Sequence, residues 1–275
     1  MYPHIHRYSI GWRMGYGESY CGIFWDWFNL LTDYDREMYK EMFPEPRAWR
    51  GIYNDDDENS EVDDFIFNGV ELWNAGGEQQ YSREKSIAEY NKNGELEFVF
   101  FGQPENGVIN ESCLGQWYLT KFFDGVDEYC CTEQYMMAEK ARLFEDDEIC
   151  TAIIETKNPK EMKALGKKVK NFDQTTWDKG KYSIVLNGNY LKFSQNENLR
   201  NYLLSTENKI LVEASPLDTI WGIELGKDKE KAYNPNTWKG ENLLGFALVE
   251  VRDEIRNVYK NYYTINWNDI NVDWG

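Results

Sequence analysis

The stretch TEQYMMAEKARLF (132–144) decides the organisation of the chain, because it places ionisable groups on the apolar side of a predicted helix. Thr132 is a suitable N-cap, and no later residue of the stretch breaks a helix. Four residues fall within about 60° of one another at 100° per residue. They are Glu133, Met137, Lys140 and Phe144. Because an apolar stripe normally faces a core, a carboxylate and an ammonium are expected to share a buried or cleft-lining face.

Glu133 in this position allows two interpretations. If the stripe lines a cleft, Glu133 is a partly desolvated carboxylate with raised affinity for protons or for developing positive charge. Alternatively, the helix dipole favours an acid in the first turn wherever it points, and Lys140 can extend to water. Taken alone, the stretch favours a structural role over a chemical one.

The composition of the 275 residues narrows the chemistry. Five cysteines without paired metal-ligand spacing indicate reduced thiols in a cytoplasmic protein rather than disulfides. The only histidines are His4 and His6, so a histidine-based metal site or nucleophile is not expected in the body of the chain. No run of 18 apolar residues predicts a membrane span. We therefore expect chemistry based on carboxylates, lysine and aromatic stacking, with no metal and no cofactor.

The net charge of −18 argues against broad, nonspecific binding of nucleic acid, because phosphate contacts require Lys and Arg. One segment reverses this sign. Residues 157–192 hold nine lysines and three acids, a local net charge of +6. This basic island is either a set of phosphate-contacting side chains or an ordinary solvated surface.

The chain is predicted to have three parts, and its mixed elements without regular strand–helix alternation indicate an α+β fold. Residues 1–94 form an aromatic and acidic accessory region with nine basic and eighteen acidic residues, including an acidic loop at 53–64. Residues 95–258 form the main domain, and residues 259–275 form a tail.

Regular elements are predicted from apolar period and from start and stop signals. Strands are predicted at 96–103 and 209–215, a short strand pair at 65–73, and an exposed loop entering a further strand at 113–123. Helices are predicted at 132–144, 147–156, from Asn158-Pro159, at 175–187 with Gly188-Asn189 as the stop, at 196–205 and at 244–255.

The order of several motifs resembles that of the NADAR domain family (NAD- and ADP-ribose-associated). The motifs are FFGQ (100–103), GQW (115–117), TEQYMMAEKARLF (132–144), ALGKKVKNFD (164–173), TTWDKGKYSIVLNGNYLKFSQN (175–196), LVEASPLDTIWGIEL (211–225) and NLLGFALVEVR (242–252). The resemblance implies a compact, mostly helical domain with a small β-sheet that cleaves N-glycosidic bonds without a metal.

Members of this family act on ribosylamino-pyrimidine intermediates of riboflavin synthesis or on ADP-ribosyl-guanine in nucleic acid. AEKARLF and SPLDTIWGIEL resemble the ADP-ribose branch more closely. The resemblance then implies ADP-ribosylated guanine in DNA or a nucleotide as substrate, ADP-ribose as product, and a toxin as partner of an antitoxin or phage counter-defence protein. Hydrolysis of a ribosylated small metabolite is the enzymatic alternative. A binding protein that sequesters a nucleotide is the alternative of another class.

Three residues are candidates for catalysis, and the first of them, Glu133, is assigned by its match to the family motif. Glu133 is assigned to the sugar, where it stabilises the developing cation or orients water. Asp218 is the second carboxylate, either as base or ribose contact, or as the cap of a turn before Thr219. Lys140 is either a nucleophile that forms a Schiff base or a phosphate contact.

The candidate substrate-binding residues supply stacking surfaces, amide groups and charge. Trp221 and Gly222 suit a nucleobase platform, with Phe101 and Gly102 as the opposite wall. The remaining candidates are Gln116, Trp117, Asn189 and Lys192. Amides can contact base edges or ribose hydroxyls but can equally bond loop backbone, and Lys192 is assigned to pyrophosphate or DNA backbone.

Overall fold

The computed structural model describes residues 12, 14–53, 66–74, 78–227 and 230–264. The chain divides into two compact units, Met1–Asp57 with Glu254–Gly275 and Glu58–Asp253. Most of the predicted acidic loop, residues 54–64, and the tail from residue 265 lie outside the described residues. The predicted three-part division remains a prediction.

The first unit contains helices α1 (Tyr16–Leu30) and α2 (Asp33–Met42). Its core is the aromatic and apolar cluster Phe28, Trp49, Ile52 and Tyr53. The sequence showed no clean helical period across α1 because large apolar residues also occupy its outer face. Trp27 is 44% exposed and Leu30 is 87% exposed.

The second unit is mostly helical with three two-stranded sheets, which confirms the predicted α+β class. Its helices are α3 (Arg83–Asn93), α4 (Thr132–Leu143), α5 (Asp147–Glu155), α6 (Pro159–Gly166), α7 (Gln174–Gln195), α8 (Glu197–Ser205) and α9 (Leu243–Val258), of which the residues up to Asp253 belong to this unit. Its strands are β1 (Ile66–Phe67), β2 (Val70–Glu71), β3 (Phe98–Phe101), β4 (Phe122–Phe123), β5 (Glu128–Tyr129) and β6 (Ile210–Glu213).

The strands predicted at 96–103 and 209–215 pair with each other in parallel as β3 and β6. Phe101 pairs with Glu213 at the carboxyl end of both strands. An apolar cluster of Val212, Ile223, Ala232, Trp238 and Phe246 packs against this sheet. The predicted strand pair at 65–73 is confirmed as the antiparallel pair β1 and β2.

Helix α4, which contains most of the TEQYMMAEKARLF stretch, packs against α5, α6 and α7. Eight of its first ten residues are buried, so it is a central helix rather than a surface one. Gly166 and Gly188 allow this packing: a Cβ on Gly166 would overlap the side chain of Met137, and one on Gly188 would lie 2.6 Å from the ring of Tyr135. Neighbouring helices therefore approach α4 at the two glycines.

The prediction that a helix stops at Gly188-Asn189 was wrong, because α7 continues to Gln195. The glycine marks a close approach of two helices, and the side-chain amide of Asn189 donates to the carbonyl of Val185 within the helix at 2.8 Å. The predicted N-cap of α4 was displaced by one residue, since Cys131 occupies that position. The Asn158 cap was confirmed, with its side chain accepting from the backbone N–H of Lys160.

The prediction of an exposed loop at the start of 113–123 was also wrong. Cys113, Leu114, Gly115 and Gln116 are buried, and a short 3₁₀ helix covers Glu111–Leu114. Only Phe122–Phe123 forms a strand in this segment. Within the described ranges, every helix falls short of the length and apolarity needed to cross a bilayer.

Candidate active site

The turn Gly115–Gln116–Trp117 is held from one side by α7. The ammonium of Lys192 donates to the backbone carbonyl of Gly115 at 3.0 Å. The side-chain amide of Asn189 donates to the side-chain oxygen of Gln116 at 3.4 Å. Lys192 and Asn189 are both fully buried. Burial lowers the pKa of Lys192 to about 8. Through these two hydrogen bonds, Lys192 and Asn189 hold the turn in place. The sequence had assigned both residues to contacts with the substrate, and that assignment stays a prediction.

The same turn fixes the first residues of α4. The carbonyl of Gln116 accepts from the backbone N–H of Glu133 at 3.0 Å and from the hydroxyl of Thr132 at 3.2 Å. The indole of Trp117 lies close enough to the Glu133 side chain to lower its pKa. Glu133 is only 3% exposed, and its Oε1 atom is buried without a hydrogen-bond partner. An interior carboxylate oxygen left free in this way has unused capacity to accept a bond from a ligand.

Burial raises the pKa of Glu133 to about 7. Lys163 and the Trp117 indole oppose this shift, while the nearby carboxylate of Asp218 adds to it. A carboxyl group with a pKa near neutrality can exchange a proton at physiological pH, which an ordinary glutamate cannot do efficiently.

Asp218 lies in a turn that begins after Pro216. Its Oδ1 atom accepts from the backbone N–H groups of Ile220 at 3.0 Å and Trp221 at 2.8 Å. The turn-capping role foreseen for Asp218 is thus present, and the same residue also lies close enough to raise the pKa of Glu133. The two alternatives from the sequence are therefore compatible.

Gly222 brings this turn against the end of β6. A Cβ on Gly222 would lie 2.9 Å from both the carbonyl of Glu213 and the Cβ of Ser215. Because a side chain would push the turn away from the strand, Gly222 sets the distance between the Asp218 turn and β6. Trp221, the preceding residue, is partly exposed. This leaves an indole available at the surface of the turn.

Glu213, at the carboxyl end of β6, is a member of the site that the sequence analysis missed. Burial raises its pKa to about 8, and the charges of Asp218 and Glu133 add to this shift while Lys163 opposes it. Its Oε2 atom is buried without a hydrogen-bond partner. The available signal was a carboxylate at the end of a buried apolar strand, where ligands commonly bind in α/β sheets.

Lys163 in α6 is the cation that acts on both Glu133 and Glu213. The sequence had placed it only in the basic island. It is exposed, so its ammonium can reach a ligand from solvent. Lys163 therefore occupies the position beside Glu133 that the helical stripe had suggested for Lys140.

Lys140 lies among aromatic rings instead. Its ammonium is 4.2 Å from the ring centroid of Phe172 and 5.4 Å from that of Trp177. Partial burial lowers the pKa of Lys140. Cation–π contacts of this kind stabilise a charged side chain at a helix surface. The role of Lys140 as nucleophile or phosphate contact stays a prediction.

Phe101 and Gly102 follow β3 beside the end of β6. Phe101 is 1% exposed and pairs with Glu213. Gly102 is partly exposed, and its carbonyl lies near Gly115, where a Cβ would be 3.2 Å away. Phe101 thus packs beneath the site as core, while Gly102 approaches the turn that carries Trp117.

The residues brought together are three carboxylates, one lysine and the indole of Trp117. The carboxylates are Glu133, Glu213 and Asp218. In the part of the chain that the structure describes, no group of three or more His, Cys, Asp or Glu side chains is arranged to hold a metal ion. The cluster is instead suited to proton transfer and to stabilising positive charge.

Comparison with known proteins adds the following similarities. Residues 100–256 match the NADAR domain. The chain is 43% identical over 162 residues to N-glycosidase R617 of Acanthamoeba polyphaga mimivirus, covering 57% of this chain and 95% of that protein. It is 38% identical over 130 residues to Protein irg-1 of Caenorhabditis elegans, covering 46% of this chain and 61% of that protein. It is 34% identical over 133 residues to N-glycosidase Npun_R5314 of Nostoc punctiforme, covering 48% of this chain and 78% of that protein.

Proposed function

The chain belongs to the NADAR domain family, and we propose that it is an N-glycosidase that removes ADP-ribose from guanine bases of nucleic acid. Two of the similar proteins are named N-glycosidases, and one of them is matched over 95% of its length. This similarity supports cleavage of an N-glycosidic bond. The choice of ADP-ribosyl-guanine as substrate rests on the resemblance of the AEKARLF and SPLDTIWGIEL motifs to the ADP-ribose branch.

The observation that carries the proposal is the free, buried oxygen of Glu133 beside an indole and a second carboxylate. Burying a carboxylate without satisfying it costs several kcal/mol in the absence of compensating contacts. A purely structural glutamate would avoid this cost by pairing both oxygens. An oxygen that becomes satisfied only when substrate binds is the arrangement expected of a catalytic group.

Cleavage of the C1′–N bond builds positive charge on the ribose ring and negative charge on the departing base. In its ionised form, Glu133 stabilises the ribosyl cation through Oε1 and then directs a water molecule to C1′. The Trp117 indole beside Glu133 favours this charged form. Because the site is largely buried, the attraction between carboxylate and cation is stronger than it would be in water.

The surroundings of the cluster fit a nucleotide. Trp221 is partly exposed in the turn that carries Asp218, and indole–base stacking contributes about 1–3 kcal/mol per base. Lys163 is exposed beside the carboxylates and is available to a phosphate of ADP-ribose. Other exposed lysines lie in and next to α6: Lys157, Lys160, Lys167 and Lys168. They offer contacts to a nucleic-acid backbone on an otherwise acidic protein.

The first test is mass spectrometry of an oligonucleotide carrying one ADP-ribosylated guanine, before and after incubation with the protein. We expect loss of the ADP-ribosyl mass from the oligonucleotide and release of free ADP-ribose.

Glu133→Gln removes the negative charge while preserving the shape of the side chain. It is expected to lower kcat/KM by about 10³-fold or more, or about 4 kcal/mol of barrier.

Glu145→Gln, just beyond the end of α4, is the matched control because Glu145 is exposed and outside the cluster. Circular dichroism checks that both variants are folded. If Glu133→Gln stays within threefold of the wild-type rate, the change in barrier is under about 1 kcal/mol and the role of Glu133 is refuted. Stoichiometric binding of ADP-ribosylated guanine without product would instead support a sequestering protein.

A further inference from the structure

Three features place Glu213 among the reacting groups. It stands at the end of β6 against the Asp218 turn, since a Cβ on Gly222 would lie 2.9 Å from the carbonyl of Glu213 and 3.3 Å from that of Asp218. The charges of Asp218 and Glu133 both favour its protonated form. Its Oε2 atom is buried and has no hydrogen-bond partner. Its backbone is fixed on both sides, because its N–H donates to the Asn242 side chain at 3.0 Å and its carbonyl accepts from Ile223 at 3.1 Å. The strand therefore holds an unsatisfied carboxyl group rigidly within the cluster.

We propose that Glu213 is the general acid that protonates the departing base, while Glu133 remains ionised beneath the sugar. This inference rests on the proposed glycosidase function and assigns a second catalytic residue to it. Two neighbouring carboxylates repel each other when both are ionised, which favours the state in which one of them holds a proton. The position of that proton follows from the partners of each group.

Glu133 is the member of the pair that is better suited to carry the negative charge. The Trp117 indole favours its charged form, and Glu133 lies in the first turn of α4, where the helix dipole favours an anion. No comparable donor reaches the buried Oε2 of Glu213. The pKa of Glu213 is raised to about 8 and that of Glu133 to about 7, so Glu133 is also the first of the two to lose its proton.

Asp218 is less suited to be the acid because one of its oxygens is committed to the turn. Its Oδ1 atom already accepts from two backbone N–H groups, at 3.0 Å and 2.8 Å. Its negative charge instead favours the protonated form of Glu213. Lys163 is the charged group that opposes this effect. Two further neighbours of the Glu213 segment are neutral: Phe101 across the sheet and the amide of Asn242.

The proton balance of the reaction closes with these two residues. As the C1′–N bond breaks, its electron pair stays on the base nitrogen, which takes the proton from Glu213. Water adds to C1′, and the proton it loses passes to Glu133. Transfer of this proton from Glu133 to Glu213 restores the starting state. One water molecule is consumed, and no oxidant, reductant or cofactor is required.

The experiment compares the pH profiles of kcat/KM for wild-type protein, Glu213→Gln and Glu213→Asp on the ADP-ribosyl-guanine oligonucleotide. The wild type is expected to give a bell-shaped profile, with limbs near the pKa values of about 7 and about 8. Glu213→Gln should lower the maximum about 10²- to 10⁴-fold and abolish the alkaline limb. Glu213→Asp, which keeps an acid at the site, should retain the alkaline limb and lose less activity.

Glu95→Gln is the control, because it also removes one carboxylate, and Glu95 is an exposed residue that precedes β3. A Glu213→Gln variant that keeps the alkaline limb, or stays within threefold of the wild type, overturns the inference. If wild-type protein releases no ADP-ribose, the proposed function fails, and the state of Glu213 is then read by ¹³C NMR of its carboxyl group. The inference expects this carboxyl to remain protonated above pH 7. A Glu213 that loses its proton near pH 4 overturns it, and this measurement needs only the wild-type fold.

Discussion

Asp218 affects both Glu133 and Glu213 while its own side chain is partly exposed. Its charge raises the pKa of Glu133 and of Glu213, although in each case burial is the larger cause. Asparagine at this position would still accept the backbone N–H bonds of Ile220 and Trp221 through its side-chain oxygen. The electrostatic role of Asp218 can therefore be separated from its role in the turn.

We predict that Asp218→Asn shifts the pH profile of activity toward acid. Removing a neighbouring negative charge makes ionisation of Glu133 and Glu213 easier, so both pKa values fall and both limbs move to lower pH, on the order of one unit. The measurement is kcat/KM from pH 5 to pH 9. Asp218→Ala, which loses the two turn bonds as well, should also unfold at lower urea concentration than Asp218→Asn. An unchanged optimum in Asp218→Asn would show that its charge does not act on the pair.

Helix α7 shows why a glycine within a helix need not end it. Gly188 faces Tyr135 of α4, and the next residues of α7 include those that hold the turn in front of Glu133. Gly180, two turns earlier in the same helix, has only ordinary contacts, since a Cβ there would be 3.5 Å from Leu143. The two glycines share one helix but differ in their surroundings.

We predict opposite effects for alanine at these two positions. Gly188→Ala should lower the free energy of unfolding by about 1–3 kcal/mol, because a Cβ 2.6 Å from the Tyr135 ring forces α7 and α4 apart. Gly180→Ala is the matched control and should be neutral or raise stability by up to about 1 kcal/mol, since alanine favours helix. Urea unfolding followed by circular dichroism measures both. Equal effects of the two changes would contradict the close helix contact.

At the scale of the whole molecule, the structure reduces the basic island to a smaller surface around α6. Lys192 is fully buried, while Lys170 and Lys181 pair with Glu148 and Asp178. The lysines in and next to α6 are exposed and lie on the element that brings Lys163 to the carboxylate cluster. A protein of net charge −18 can thus present a local cationic surface beside its candidate site.

We predict that the double charge reversal Lys167→Glu with Lys168→Glu weakens binding to an ADP-ribosylated oligonucleotide at least tenfold. It should also reduce the slope of log affinity against log salt by roughly two, because each phosphate contact releases about one counterion. Turnover of free ADP-ribosyl-guanosine should stay within twofold. The control variant replaces Lys85 and Lys92, two exposed lysines in α3, by glutamate, so that the net charge changes by the same amount. Equal oligonucleotide binding by the test and control variants would favour a small nucleotide substrate over nucleic acid.

Several features of this protein were predictable because they depend on short stretches of sequence. The Asn158-Pro159 start of α6, the two strands that form the parallel pair and the helix carrying Glu133 were all found from local pattern. The match to the NADAR domain, already visible in the motif order, is confirmed for residues 100–256. Local hydrogen bonding, helix caps and apolar period are encoded within about ten residues, so they can be read without tertiary contacts.

Only the tertiary structure decided which groups meet at the site. Glu213 and Lys163 join Glu133 because β6 and α6 pack beside the start of α4, whereas Lys140 turns toward Phe172 and Trp177. Lys192 is a lysine, a residue type usually found at the surface, yet it is buried beneath the Gly115 turn. The protonation of the glutamates likewise depends on burial and on charges brought from distant parts of the chain. The sequence by itself determined the elements and the family, and long-range packing determined the partners, because proximity across the chain has no local signature.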